Sequence, residues 1–180
     1  MAAKLCIIFE LLSLISEKKR NFAPMEAFPA LNLPAASLRY SKDNSAVKVF
    51  DPLRRRYVRL TPEEWVRPHV ISYLINHKHY PAGLLGNEIS LNLNGTSRRC
   101  DTVLFGLDRQ PLMIVEYKAS HVPITQKVFD QISRYNIVLR TPWLVVSNGL
   151  QHIVCHIDLN TQTYEFLPEI PDYEAITDRS

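Results

Sequence analysis

Near the middle of this chain, Asp101, Glu116 and Lys118 have the types and spacing to hold a hard metal ion beside an ammonium group. The run Leu112-Met113-Ile114-Val115 leads into Glu116-Tyr117-Lys118, and a run this apolar reads as a central strand buried on both faces. A carboxylate and an ammonium at the end of such a strand are costly unless something pairs or uses them. Side chains alternate along a strand, so Glu116 and Lys118 share a face. Upstream, Cys100–Phe105 reads as a second strand and Gly106–Pro111 as the loop between the two. Paired antiparallel and flush to that loop, Phe105 faces Leu112, Leu104 faces Met113, Val103 faces Ile114, Thr102 faces Val115 and Asp101 faces Glu116. Directly opposed residues hold their Cβ atoms roughly 5 Å apart. Two carboxylates that close do not both ionise without help. A divalent cation is the simplest help. Hard oxygen ligands suit Mg2+ or Mn2+, with water and a substrate phosphate completing the shell. A slip of one residue would carry Asp101 to the opposite face. The same residues also admit a plainer account, a structural ion-pair cluster at a sheet edge with Arg98 or Arg99 as counter-charge.

The surrounding pattern supplies elements to position these groups. Val47–Asp51 and Arg56–Leu60 flank Pro52-Leu53-Arg54-Arg55, which reads as a hairpin. Thr61-Pro62-Glu63-Glu64 opens a helix running to about Lys78, with Thr61 as N-cap, Pro62 at the first helical position and Glu64 completing a capping box. Val66, Val70, Tyr73, Leu74 and His77 fall on one face of it. Glu88–Leu93 alternates as a strand and Asn94–Ser97 reads as a turn. If that hairpin is flush, Leu93 faces Arg98 and Ser90 faces Asp101, which leaves Glu88 on Asp101's face one pair along. Pro123–Leu139 reads as a second helix, on which Gln131 and Tyr135 are four apart and share a face. Trp143–Ser147, His152–Ile157 and Thr163–Leu167 read as further strands, and Pro168–Ser180 as an acidic tail. The expected class is α/β. An irregular N-terminal leader occupies residues 1–46, a domain that opens on the hairpin occupies 47–173, and a tail occupies 174–180.

Composition narrows the function classes. A chain of 180 residues with 46% hydrophobic and 22% charged residues is too apolar for disorder and too charged for a multi-span membrane protein. Its three cysteines, Cys6, Cys100 and Cys155, are far apart in sequence, which argues against a disulfide framework or a cysteine zinc site and fits a reducing, cytoplasmic compartment. With five glycines and no Gly-rich phosphate loop, P-loop and dinucleotide-binding sites are excluded. The six histidines never fall at a metal-ligand spacing with a third ligand. Leu5–Ile15 behind Lys4 mimics a signal peptide, but Glu10 sits inside the run, and Lys18, Lys19 and Arg20 follow where a cleavage site should be. The run is also too short to span a bilayer. Residues 1–140 hold 20 Lys/Arg against 12 Asp/Glu, a net of +8, and residues 141–180 hold 1 against 6, a net of −5. A basic body with an acidic tail is compatible with a polyanionic partner.

The run Arg98-Arg99-Cys100-Asp101-Thr102-Val103-Leu104-Phe105 followed by Leu112-Met113-Ile114-Val115-Glu116-Tyr117-Lys118 resembles the PD-(D/E)XK nuclease signature. From about Val47 to Tyr173 the chain is similar to one branch of it, the N-terminal nuclease domain of the type I restriction enzyme R subunit. Thr61-Pro62-Glu63-Glu64-Trp65-Val66-Arg67 and the Q-x-x-x-Y motif of Gln131-Ile132-Ser133-Arg134-Tyr135 support this. Cys100 stands where the signature has proline. The resemblance implies a restriction-endonuclease-like mixed central sheet flanked by helices. It implies a Mg2+-dependent (or Mn2+-dependent) endonuclease acting on DNA, standalone in that it carries no helicase motor, with separate motor or specificity subunits as partners. Asp101 and Glu116 would bind the metal with the Tyr117 carbonyl between them. Lys118 would orient or help deprotonate the attacking water. Gln131 and Tyr135 would support the site and contact the phosphate backbone. Glu64 matches the family's helix glutamate and would serve as auxiliary acid, with Glu88 and the neighbouring Glu63 as rivals. Arg54, Arg55 and Arg56 would then form a phosphate-contacting surface that reads charge rather than sequence. The alternative is a non-catalytic nucleic-acid- or partner-binding module on the same fold. Adjacent carboxylates argue against it, because without metal they would repel a phosphate.

Overall fold

The computed structural model describes residues 28–43, 46–93, 96–127, 130 and 140–178. The chain divides into residues 1–30 and Leu31–Ser180, and every element named here lies in the second of these. A three-stranded antiparallel sheet comes first, ordered β1 (Tyr40–Lys42), β2 (Val47–Asp51), β3 (Arg56–Arg59). The expected hairpin is β2–β3, closed with Asp51 opposite Arg56. β1 falls inside the segment read as irregular. Three residues are too few to show alternation, and this strand exists because Tyr40 and Lys42 pair with Val49 and Val47.

α1 (Pro62–His77) starts where the cap predicts. The Glu64 N–H donates to Thr61 Oγ1 at 3.1 Å, which satisfies one of the open N–H groups of the first turn. The reciprocal half of the expected capping box is not its main contact, because the Glu64 carboxylate accepts from Arg54 instead. Val66, Val70 and Leu74 are fully buried, as their spacing requires, while His77 turns out into solvent at the last turn.

After a 3-10 turn at Ala82–Leu84, six strands follow in spatial and chain order: β4 (Leu85–Leu93), β5 (Thr96–Phe105), β6 (Pro111–Tyr117), β7 (Trp143–Ser147), β8 (His152–Ile157) and β9 (Tyr164–Leu167). Neighbours are antiparallel except β6 and β7, which are parallel, so the sheet is mixed. One face carries Leu104, Met113, Val115, Trp143 and Val145 against Val66, Val70 and Leu74 of α1. The other gathers Val103, Ile114, Leu144, Val146 and Cys155. β6 and β7 are therefore buried on both faces, which is what their unbroken apolar runs demand.

The helix expected over Pro123–Leu139 lies mostly outside the described residues. Among the described residues the protein is mostly sheet, with α1 as its one long helix, and no helix is long and apolar enough to cross a membrane. The segment read as an acidic tail is instead part of the core. It forms α2 (Tyr173–Thr177), burying Ile170 and Ile176. Tyr80 Oη donates to the Pro171 carbonyl at 3.0 Å and the Tyr173 N–H to the Lys78 carbonyl at 3.0 Å. Its acids point outward, and two isoleucines are enough to seat it.

Candidate active site

The β5–β6 ladder has the expected register: Thr102 faces Val115, Val103 faces Ile114 and Leu104 faces Met113. The flush pairing fails only beside the loop, where a bulge sets Phe105 opposite Pro111 rather than Leu112. Counting one step on from Thr102–Val115 puts Asp101 across from Glu116. The β4–β5 hairpin differs more. Leu93 pairs with Thr96, so Ser90 faces Arg99 rather than Asp101. The shift is of two residues. It moves Glu88 from one pair along to directly across from Asp101, between the Asn87–Thr102 and Ile89–Cys100 pairs. Glu88 itself has φ 55°, left-handed backbone that costs a residue with a Cβ about 1–3 kcal/mol.

The Asp101 carboxylate is held at both oxygens. Oδ2 accepts from the Tyr117 N–H at 2.9 Å and Oδ1 from Arg67 Nη2 at 3.2 Å. Glu116 Oε1 accepts from Lys118 Nζ at 3.1 Å. Asp101, Glu116 and Lys118 are each between a fifth and a third exposed, at 21%, 22% and 29%. Burial pushes the Glu116 carboxyl above its ordinary pKa and the nearby Asp101 adds to this, with Lys118 pulling the other way.

Arg67 is the residue that sequence reasoning missed. It projects from the inner face of α1 and its side chain is 3% exposed. Nη2 lies 2.9 Å from Glu63 as well as 3.2 Å from Asp101, and Nε lies 3.7 Å from Glu64. The guanidinium carbon stands 5.4 Å from the centre of the Tyr117 ring. Burial opposes its charge, but Asp101 and Glu64 more than offset this and its pKa is raised. The available signal was the spacing Glu63-x-x-x-Arg67, which ordinarily describes a surface pair.

A second arginine also turns inward. Arg54, expected to face phosphate, has a side chain only 9% exposed. It bonds Asp51, both oxygens of Glu64 (2.8 and 2.7 Å) and Glu88 (3.1 Å), joining β2, α1 and β4. Asp51 in turn accepts from Asn87 Nδ2 at 2.7 Å, Thr102 Oγ1 donates to Asn87 Oδ1, and Tyr117 Oη donates to Thr102 Oγ1 at 2.9 Å. This chain satisfies polar groups that would otherwise be orphaned in the interior. Glu64 is thus committed to Arg54, whereas Glu63 is 44% exposed and shares Arg67 with Asp101. Arg55 and Arg56 are exposed. Arg99, a suggested counter-charge for the acid pair, lies 2.7 Å from Glu88 instead. Gln131 and Tyr135 lie outside the described residues.

Among the described residues no three His, Cys, Asp or Glu side chains gather as a metal-binding group. What is present is a pair of carboxylates on adjacent strands, with Tyr117 following Glu116 directly so that its carbonyl is a third oxygen donor of the same segment. That is a hard-oxygen set, and the desolvated Glu116 beside Asp101 is where a cation would relieve crowded negative charge. The residues fit a divalent ion that keeps part of its water shell.

Residues 62–171 match the family described as the type I restriction enzyme R protein N terminus. No curated protein matches the chain. Among solved structures, a fragment assigned as an HsdR subunit of a type I restriction enzyme from Vibrio vulnificus YJ016 is similar over 67% of this chain, with a TM-score of 0.50 and 19% identity. The match takes in 25% of that chain, so the present one spans about a quarter of its length. At that identity the likeness speaks to the fold. The matched family span runs from the first residue of α1 to the approach of α2 and includes Asp101, Glu116 and Lys118. The chain belongs to the family of type I restriction enzyme R protein N termini.

Proposed function

We propose that this chain is a metal-dependent nuclease that hydrolyses DNA phosphodiester bonds. The observation that supports this reading is the Asp101 carboxylate accepting the Tyr117 N–H, beside Glu116 and its partner Lys118. Asp101, Glu116 and the Tyr117 carbonyl would hold Mg2+ or Mn2+, which supplies polarisation of the phosphate and a more acidic water. Asp101 is oriented for this by the Tyr117 N–H and by Arg67. Lys118 Nζ, kept near Glu116, orients the attacking water and sets positive charge where the phosphorane-like transition state gains negative charge. Glu64 acts one step removed, by holding Arg54 and Arg67 in place. Arg55 and Arg56 contact the phosphate backbone, joined by Gln131 and Tyr135, and other subunits of a restriction system are its partners. The test is cleavage of supercoiled, linear and single-stranded DNA with and without Mg2+ or Mn2+. Cleavage should require metal and disappear in Asp101→Asn. Absence of metal-dependent cleavage on all three substrates, or cleavage by Asp101→Asn at the wild-type rate, would overturn the assignment.

A further inference from the structure

We propose that Arg67 is a positioning residue of the acidic centre, fixing Asp101 from the helix side and limiting the centre to one divalent cation. This rests on the metal-binding reading of Asp101 and Glu116. An arginine cannot shed its proton in a protein, so Arg67 is a permanent charge. It is nearly inaccessible, and its contacts are one-sided. Nη2 serves both Glu63 and Asp101, while Nε and Nη1 are buried without a hydrogen bond. Arg54, by contrast, has all three nitrogens paired: Nε with Asp51, Nη2 with both oxygens of Glu64 and Nη1 with Glu88. Of the two carboxylates that Nη2 of Arg67 reaches, Glu63 at 2.9 Å is on its own helix and Asp101 at 3.2 Å is the contact that ties α1 to β5.

Asp101 Oδ2 accepts one N–H, from Tyr117, and as a carboxylate oxygen has a second lone pair to offer the one ion. Oδ1 is the oxygen that faces Arg67. A cation bridging from Oδ1 would meet the guanidinium, and like charges at contact in a partly dry site repel strongly. Formal charge points the same way. Asp51, Glu63, Glu64, Glu88, Asp101 and Glu116 contribute six negative charges, and Arg54, Arg56, Arg67, Arg99 and Lys118 five positive ones. The cluster stands at −1. One divalent ion takes it to +1, the complement of a single phosphodiester, whereas two would take it to +3. Arg67 thus occupies, as part of the fold, the place of a second ion.

The experiment is Mn2+ binding to the full chain, with free ion measured by electron paramagnetic resonance. Wild type and Arg67→Lys, which keeps the charge, should each bind one ion. Arg67→Met, which keeps the apolar stem and loses the charge, should approach two ions per chain. A role confined to stability would lower the melting temperature of Arg67→Met and leave its stoichiometry at one, and that result in a folded variant overturns the proposal. If Arg67→Met does not fold, Arg67→Gln, which keeps a polar head and loses the charge, takes its place: a rise toward two ions sustains the proposal, and one ion in that variant or two in wild type overturns it. No ion bound by wild type would instead remove the metal site itself, and with it the nuclease reading.

Discussion

Arg54→Met should strip the central cation from the β2–α1–β4 junction while leaving the two hydrogen bonds of the Asp101 carboxylate in place. Removing one partner of a buried ion pair costs about 3–5 kcal/mol, because the charge left behind is unpaired. The three carboxylates around Arg54 do not all suffer this. Glu88 is 24% exposed and keeps Arg99 at 2.7 Å and Arg56 at 3.6 Å, so its loss is that of a surface pair, below about 1 kcal/mol. Asp51, 3% exposed, keeps the N–H groups of residues 53 and 54 and the Asn87 amide. Glu64, 14% exposed, is left with only Arg67 Nε at 3.7 Å and carries most of the penalty. The total should fall at the low end, about 3 kcal/mol. For a unit of roughly 150 residues this lowers Tm by about 6–12 °C. Thermal unfolding followed by circular dichroism measures it, and DNA affinity below the transition should not change. A loss of under ~1 kcal/mol together with weakened, less salt-sensitive DNA binding would refute the reasoning, since that is how an exposed phosphate contact behaves.

Lys118→Ala should lower the cleavage rate about a hundredfold or more, about 3 kcal/mol of barrier, while metal and DNA binding persist. Lys118→Arg keeps charge but changes donor geometry, and wild-type cleavage by it would show that the lysine's geometry is not catalytic. Mg2+ or Mn2+ should raise the melting temperature of wild type and do so much less for Asp101→Asn; equal shifts in the two proteins would count against the site.

The parts of the fold set by local rules were legible in the sequence. Thr61 and Pro62 mark the start of α1 because cap chemistry is local, and the β5–β6 register follows from a short loop between alternating strands. Only the bulge at Leu104/Phe105 escaped that count. The β4–β5 register was misjudged by two residues because Thr96 and Ser97 read as turn formers yet extend the strand. Glu88 also interrupts the alternation: Asn87 bonds Asp51 and Thr102 while Ile89, two residues on, packs with Cys100 and Val103 in the other cluster, and the left-handed φ of 55° lies between them. Arg54 and Arg67 were illegible for another reason. A charged residue in a polar-looking stretch reads as solvated, and only tertiary placement of Asp51, Glu64, Glu88 and Asp101 makes an interior position tolerable. β1 and α2 are likewise defined by what they dock against rather than by their own composition.

The single parallel ladder among the described strands bears on how the protein reaches this arrangement. β4, β5 and β6 succeed one another through short connections, so their pairing closes little loop. β6 and β7 cannot be joined that way. Met113 pairs with Trp143, and the chain between them must be gathered before the first bond of that ladder rewards it. Non-local pairing of this kind is what slows folding. We expect β4–β6 to assemble early with Asp101 and Glu116 side by side in water, and the barrier to lie at the arrival of β7, the step that dries them. Val145→Ala, at the centre of β7, should then slow refolding more than it speeds unfolding, and the opposite partition in a stopped-flow experiment would place the barrier elsewhere. The strand that pairs alongside Glu116 would thus also set the pace at which the site comes into being.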